Sequence, residues 1–220
     1  MASKGGSMTI EIYSDLICPW CYIGKRRFAQ GMALSGLSTD DVRVIWKPFE
    51  LNPDMPEDGM DRKEYRIKKF GSWEYSQQLD RQVKDAAATV GLEFNYERQK
   101  RTPNTRKAHL LLQLAVSLDR QDALSEALFA AYFTHGRDIG SESTLIEIAE
   151  SAGLSKNEVE SALKGPAQLQ QVIQELAEAA HLGIRSVPSF VINGSVAFSG
   201  AQDPKIIGDV LQGLKSSATG

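Results

Sequence analysis

Cys18-Pro19-Trp20-Cys21 sets two thiols one helical turn apart, and the chain has no other cysteine. A pair this close closes almost no loop, so as a staple it contributes little entropic stabilisation. Chemistry is the better use for it. A thiolate, not a thiol, attacks a disulfide, so a redox cysteine needs surroundings that favour negative charge. Pro19 suits the first position of a helix, where its missing N–H costs nothing. Cys18 then stands at a helix N-terminus, where unpaired N–H groups and the macrodipole favour an anion. Cys21 follows one turn later on the same side. The spacing therefore predicts an exposed, attacking Cys18 and a more buried Cys21 that resolves the mixed disulfide.

Two other uses compete. A zinc site needs two further ligands, and the three histidines, His109, His135 and His181, show no H-x₃₋₅-H spacing. Two cysteines can also simply pack as small hydrophobes.

The remainder of the sequence sets the frame. It has 220 residues, 42% hydrophobic and 24% charged, with a formal net charge of −3. That balance gives no reason to expect nucleic acid or an anionic membrane as a partner. No apolar run approaches the roughly 20 residues a spanning helix needs. Residues 1–7 lack an apolar stretch and look like an added leader, with Met8 the expected native start and a cytoplasmic location expected.

The elements that must position the dithiol come next. Thr9–Tyr13 alternates as a strand, a helix is predicted from Pro19 to about Leu34, and Val42–Trp46 reads as a second strand. This strand–helix–strand unit implies a right-handed parallel crossover. After the loop at Pro53–Gly59 come helices marked by Leu79 to Val90, Thr105 to Leu118, Ala123 to Phe133 and Leu145 to Ala149. Ser155 with Glu158 makes a capping box for another. A helix over Ala167–Leu182 carries a stripe of Leu169, Val172, Ile173, Leu176, Ala177 and Ala180. Two strands, Pro188–Ile192 and Val196–Phe198, then meet at Asn193-Gly194, a hairpin signal, and a helix from Pro204 to Leu214 closes the chain. The reading is α/β, a thioredoxin-like fold with a four-stranded mixed sheet and an inserted all-helical domain. Residues 8–52 and 167–217 would form the first part and 53–166 the insert.

Several segments together carry a family resemblance. They are Asp15 through Gly24 around the dithiol, Pro103-Asn104-Thr105 through Ala108-His109, Tyr132-Phe133 with Gly136 to Ile139, Gly183-Ile184 to Val187-Pro188-Ser189-Phe190, and Ser199 to Gln202. With these the chain resembles the DsbA family, and within it the cytoplasmic FrnE-like branch, over nearly its whole length from Met8. The resemblance implies disulfide exchange and a helical domain lying over the dithiol. It also implies a cis peptide before Pro188 and a Val187 backbone that pairs with an extended substrate segment. Cys18 and Cys21 would be catalytic, and Pro19, Trp20, Val187 and Pro188 would contact substrate. No cofactor or metal is implied, although glutathione is a possible co-substrate.

Periplasmic members of the family commonly have histidine between the cysteines. Trp20 cannot become cationic, so strong oxidant character is not implied here. The partners expected are protein or small-molecule disulfides and thiols. A second function class fits the same fold, a glutathione-dependent isomerase or transferase of the kappa and chromene-carboxylate type, whose members usually have serine where Cys18 stands. A third is a binding module with the dithiol as a switch.

Other residues have plainer alternatives. His109 either faces the groove or is a helix histidine bonded to its surroundings. Tyr65, Phe70, Trp73 and Tyr75 either pack the insert or build one wall of an apolar pocket. Arg137 and Asp138 read as a surface loop pair, and Arg98 to Arg106 as a solvated loop.

Overall fold

The computed structural model describes residues 8–38 and 41–218. The leader expected over residues 1–7 lies outside them. Strand β1 (Met8–Ser14) leads through Leu16 and Ile17 into helix α1 (Pro19–Ser35), which ends at Gly36 in the left-handed conformation, φ +68°. Strand β2 (Val42–Pro48) returns parallel to β1, from Met8 opposite Val42 to Ser14 opposite Pro48.

A two-stranded ribbon, β3 (Met60–Asp61) with β4 (Arg101–Thr102), ties down the start of the insert. Between its strands lie α2 (Arg62–Phe70) and α3 (Trp73–Ala88). The helices α4 (Arg106–Ser117), α5 (Gln121–Phe133), α6 (Glu142–Ser151) and α7 (Lys156–Lys164) follow. The capping box read at Ser155 and Glu158 is present at the start of α7. Helix α8 (Pro166–His181) leads back to β5 (Ser189–Ile192) and β6 (Ser195–Ser199), and α9 (Pro204–Ala218) follows.

The sheet order is β2-β1-β5-β6, with β5 antiparallel to β1 and β6 antiparallel to β5. Asn193 and Gly194 both have positive φ, +49° and +81°, as a two-residue turn of this twist requires. This is the thioredoxin-like sheet with a helical insert that the sequence implied.

Two close approaches fix the helix that bears the dithiol. A Cβ on Gly31 would stand 2.5 Å from Ile207 Cγ2, so α1 and α9 pack nearly backbone to backbone there. Stacked rings join α1 to the insert. Tyr22 lies 5.0 Å from Phe129 and 5.9 Å from Phe94, between ring centroids. Offset aromatic pairs of this kind add stability beyond their buried area.

Three expectations need correction. The buried face of α8 is Val172, Glu175 and Ala179, while Ile173 is 50% exposed. The helix is rotated from its apolar stripe because Glu175 turns inward to accept a hydrogen bond from Lys47 Nζ at 2.8 Å. The basic segment is not a solvated loop, since Arg101–Thr102 pairs as β4 and Arg106 forms a two-pronged ion pair with Glu50. Arg137 and Asp138 find separate partners, Glu147 at 2.5 Å and Arg101 at 3.7 Å.

Candidate active site

Cys18 is the N-cap residue of α1, with extended backbone, and Pro19 begins the helix. Its N–H donates to the Asp15 carbonyl at 3.0 Å, and the Cys21 N–H donates to the Cys18 carbonyl at 3.1 Å. These bonds fold the chain tightly and bring both sulfurs to one side. The thiols are free, and the Cys21 thiol lies within hydrogen-bonding reach of Cys18. Burial pushes the Cys21 thiol well above its ordinary pKa, and the Cys18 sulfur beside it pushes the same way.

The second element of the site is the loop before β5. The Val187–Pro188 peptide is cis, and the Cys18 thiol donates to the Val187 carbonyl at 3.7 Å. Glycine at position 24 makes this approach possible, because a Cβ there would stand 2.8 Å from Pro188 Cγ. On its far side the loop is held by Ser189 Oγ, which donates to the Ser186 carbonyl at 2.7 Å, and by the Gly200 N–H, which donates to the Pro188 carbonyl at 2.7 Å.

The third element is the wall of the insert. A cavity of about 480 Å³ opens beside Cys18, and Pro19, Trp20 and Val187 share its lining. Trp20 is 41% exposed at its rim. Across from the dithiol stand Tyr65, Phe70, Leu79 and Val83 with the guanidinium groups of Arg62 and Arg66. Tyr65 and Phe70 thus build the cavity wall, whereas Tyr75 is exposed and Trp73 sits outside this cavity against Arg62 and Lys63.

Charge is uneven around this space. Arg62, Arg66, Lys69 and Arg185 line it with a single carboxylate, Asp80. Asp80 accepts from Arg62 Nη2 and from Arg66 Nη2, each at 2.7 Å, and Arg66 Nε also donates to Ser76 Oγ at 2.6 Å. Lys69 Nζ donates to the Tyr65 hydroxyl at 2.7 Å. The lining combines apolar and aromatic surface with excess positive charge. It suits a ligand with an apolar body and an anionic group.

Cys18 is less open than expected, at 5% exposure against 0% for Cys21. The Val187 carbonyl and the insert cover it, and access runs through the cavity. His109 does not line that cavity. It is 2% exposed behind the site, with Nε2 donating to the Phe49 carbonyl at 3.2 Å and standing 3.7 Å from Asp15 Oδ1. Asp15 itself is fully buried and accepts from the Leu51 N–H at 2.7 Å.

Residue reasoning missed the cations of α2 and their Asp80 partner. Arg62 and Arg66 lie 18 and 14 positions from Asp80, on a different helix, so no local spacing shows the pairing. Among the described residues, no group of three or more His, Cys, Asp and Glu side chains is arranged to hold a metal ion. Among them too, no helix is long and apolar enough to cross a membrane.

Comparison with known proteins agrees with this geometry. The profile of the DSBA-like thioredoxin domain matches residues 9–212. The uncharacterized protein YwbO of Bacillus subtilis (strain 168) is 30% identical over 188 residues, which is 85% of this chain and 88% of YwbO. The crystal structure of a probable DsbA oxidoreductase from Streptomyces coelicolor superposes with a TM-score of 0.85 at 33% identity, over 95% of this chain and 90% of that one. The cytosolic disulfide reductase DsbM from Pseudomonas aeruginosa, solved with GSH, shares the fold at a TM-score of 0.65 and 15% identity, over 96% and 99% of the two chains.

Proposed function

The chain belongs to the DSBA-like thioredoxin domain family, and on that premise we propose that it is a thiol–disulfide oxidoreductase in which Cys18 attacks and Cys21 resolves. The observation that carries this reading is the approach of Cys18 to the Val187 carbonyl at the mouth of a cavity, with Cys21 directly behind it. The reducing direction runs in two steps. The Cys18 thiolate attacks one sulfur of a substrate disulfide, and the other sulfur leaves with the electron pair and takes up a proton. Cys21 then gives up its proton and attacks the Cys18 sulfur. The second substrate sulfur departs as a thiol, and the Cys18–Cys21 disulfide remains. Substrate gains two electrons and the dithiol loses two. The same steps reversed oxidise a dithiol substrate, and no cofactor takes part.

Pro19, Trp20, Val187 and Pro188 hold the substrate in this reading. The main chain of Val187 pairs with an extended segment on one side of the sulfurs, and the Trp20 ring flanks the other. The preferred substrate is a disulfide that is small or has a small anionic arm, because the cavity is limited to about 480 Å³ and ringed by cations. Glutathione disulfide meets both conditions, and protein disulfides reach the dithiol through the open side by Trp20. A cytoplasmic, FrnE-like role fits the sequence marks around the dithiol.

The glutathione-dependent isomerase reading draws support from the same cavity, whose apolar wall would accept a small electrophile. Keeping both cysteines favours disulfide exchange. The test is trapping. Cys21→Ser incubated with glutathione disulfide should accumulate one glutathione adduct at Cys18 by peptide mass mapping, and Cys18→Ser should accumulate none. An adduct at Cys21 in Cys18→Ser, formed at the wild-type rate, would overturn the assignment.

A further inference from the structure

The Cys21 sulfur is the least accessible reacting atom of the site, and what surrounds it is specific. Ser14, last residue of β1, is buried, and its Oγ forms no hydrogen bond of good geometry. A buried hydroxyl without a partner costs stability, so such groups are few in native folds. The Ser14 hydroxyl and the main-chain N–H of Asp15 are both neighbours of the Cys21 sulfur, and each favours its anion. The tight turn from β1 into α1 creates the arrangement. It is pinned by the Cys18 N–H on the Asp15 carbonyl at 3.0 Å and by the Leu51 N–H on Asp15 Oδ2 at 2.7 Å.

As a neutral thiol, Cys21 accepts little from either donor. As a thiolate it accepts charge-assisted bonds, roughly twice as strong as neutral ones. The two donors therefore act on the transient anion far more than on the resting thiol. Only such a difference accelerates a step.

We propose that the Ser14 hydroxyl and the Asp15 main-chain N–H form a two-donor cradle that stabilises the Cys21 thiolate as it attacks the mixed disulfide, making Ser14 a catalytic residue of the resolving step. The proposal rests on the assignment of Cys21 as the resolving thiol. In that step the Cys21 sulfur loses its proton and bonds to the Cys18 sulfur. The bond from Cys18 to the substrate sulfur breaks, and that sulfur leaves with the electron pair and takes up a proton. Because burial and the neighbouring Cys18 sulfur push the Cys21 thiol up, stabilising its anion here has the greatest effect.

The test separates the two steps by stopped-flow and quenched mass analysis with glutathione disulfide. Ser14→Ala should form the Cys18 mixed disulfide at the wild-type rate and resolve it about threefold more slowly, because the more basic thiolate is scarcer but more nucleophilic. Its pH profile for resolution should lie about one unit higher. Ser14→Thr keeps the hydroxyl and should recover most of the rate. Unchanged resolution in Ser14→Ala, or a slowing that Ser14→Thr shares fully, would overturn the cradle. A second reading is independent of turnover. In the Cys18→Ser background the remaining thiol should titrate higher by thiolate absorbance when Ser14 is alanine, and an unmoved titration again overturns the cradle. If the wild-type chain forms no mixed disulfide, the oxidoreductase reading fails, and the titration still decides whether Ser14 stabilises the anion.

Discussion

The two walls of the cleft are built by different physics. The sheet side positions Cys18, Cys21, Val187 and Pro188 through backbone: a helix N-terminus, a cis peptide and a glycine that lets the two approach. The insert side contributes side chains, with Tyr65 and Phe70 as surface and Arg62, Arg66 and Lys69 as charge. Backbone placement fixes a reaction centre tightly, whereas a wall of long side chains adapts by substitution. On the proposed function, the reaction belongs to the first wall and substrate choice to the second.

Damage to the two walls should therefore have different signatures. The largest effect belongs to the sheet side. Cys18→Ser should reduce disulfide exchange to background in an insulin or glutathione disulfide assay, without changing the midpoint of thermal unfolding by more than a few degrees. Residual exchange near wild type would sever the site from its reaction.

On the insert side, the largest effect is structural. Asp80→Ala leaves Arg62 and Arg66 side by side without their shared carboxylate. Removing one partner of a buried ion pair costs about 3–5 kcal/mol, visible as a lower urea midpoint. A change of less than about 1 kcal/mol would mean that solvent reaches these guanidinium groups.

Charge removal without that burden sharpens the contrast. Lys69→Gln should raise KM for glutathione disulfide about three- to tenfold and leave kcat near wild type. The difference should shrink as salt rises, since exposed charges are screened within about 8–10 Å at ordinary ionic strength. A neutral disulfide should show no change. An equal loss for both substrates would mean that the insert shapes the dithiol and not the substrate.

Gly24→Ala should give the smallest effect, a few-fold loss of kcat. The new methyl group meets Pro188, and the loop must move by a fraction of an ångström to admit it. Turnover unchanged within error, with Pro188 displaced in a crystal structure, would show that the loop's position is not limiting.

The same contrast explains what could be read from the sequence. Local rules gave the frame of the sheet side: Pro19 at a helix start, Gly36 and Gly183 as helix stops, Asn193-Gly194 as a turn, and the pattern of β1 and β2 around the dithiol, while the cis peptide before Pro188 was implied only by the family resemblance. The cavity wall was legible only as two alternatives for Tyr65 and Phe70, because a ring at a helix surface packs inward or lines a space with the same local pattern. Pairing of Asp80 with Arg62 and Arg66 depends on how α2 meets α3, which no single helix records. Helix α8 shows the same limit. Its apolar stripe pointed to Ile173, but the Lys47–Glu175 ion pair turns the helix and leaves Ile173 outside. Ser14 was hidden for a related reason. A serine at a strand end reads as a turn residue, and only the folded chain shows that its hydroxyl is buried without a partner.

The central claim is that Cys18 and Cys21 form one reversible two-electron centre. Equilibration of the intact chain in glutathione buffers of graded ratio, with free thiols counted by alkylation and mass spectrometry, tests it directly. The account predicts a single transition in which both thiols disappear together, two mass units are lost, and no glutathione remains attached at the oxidised end. Thiols that stay free across the whole range, or that carry glutathione independently of each other, would contradict it.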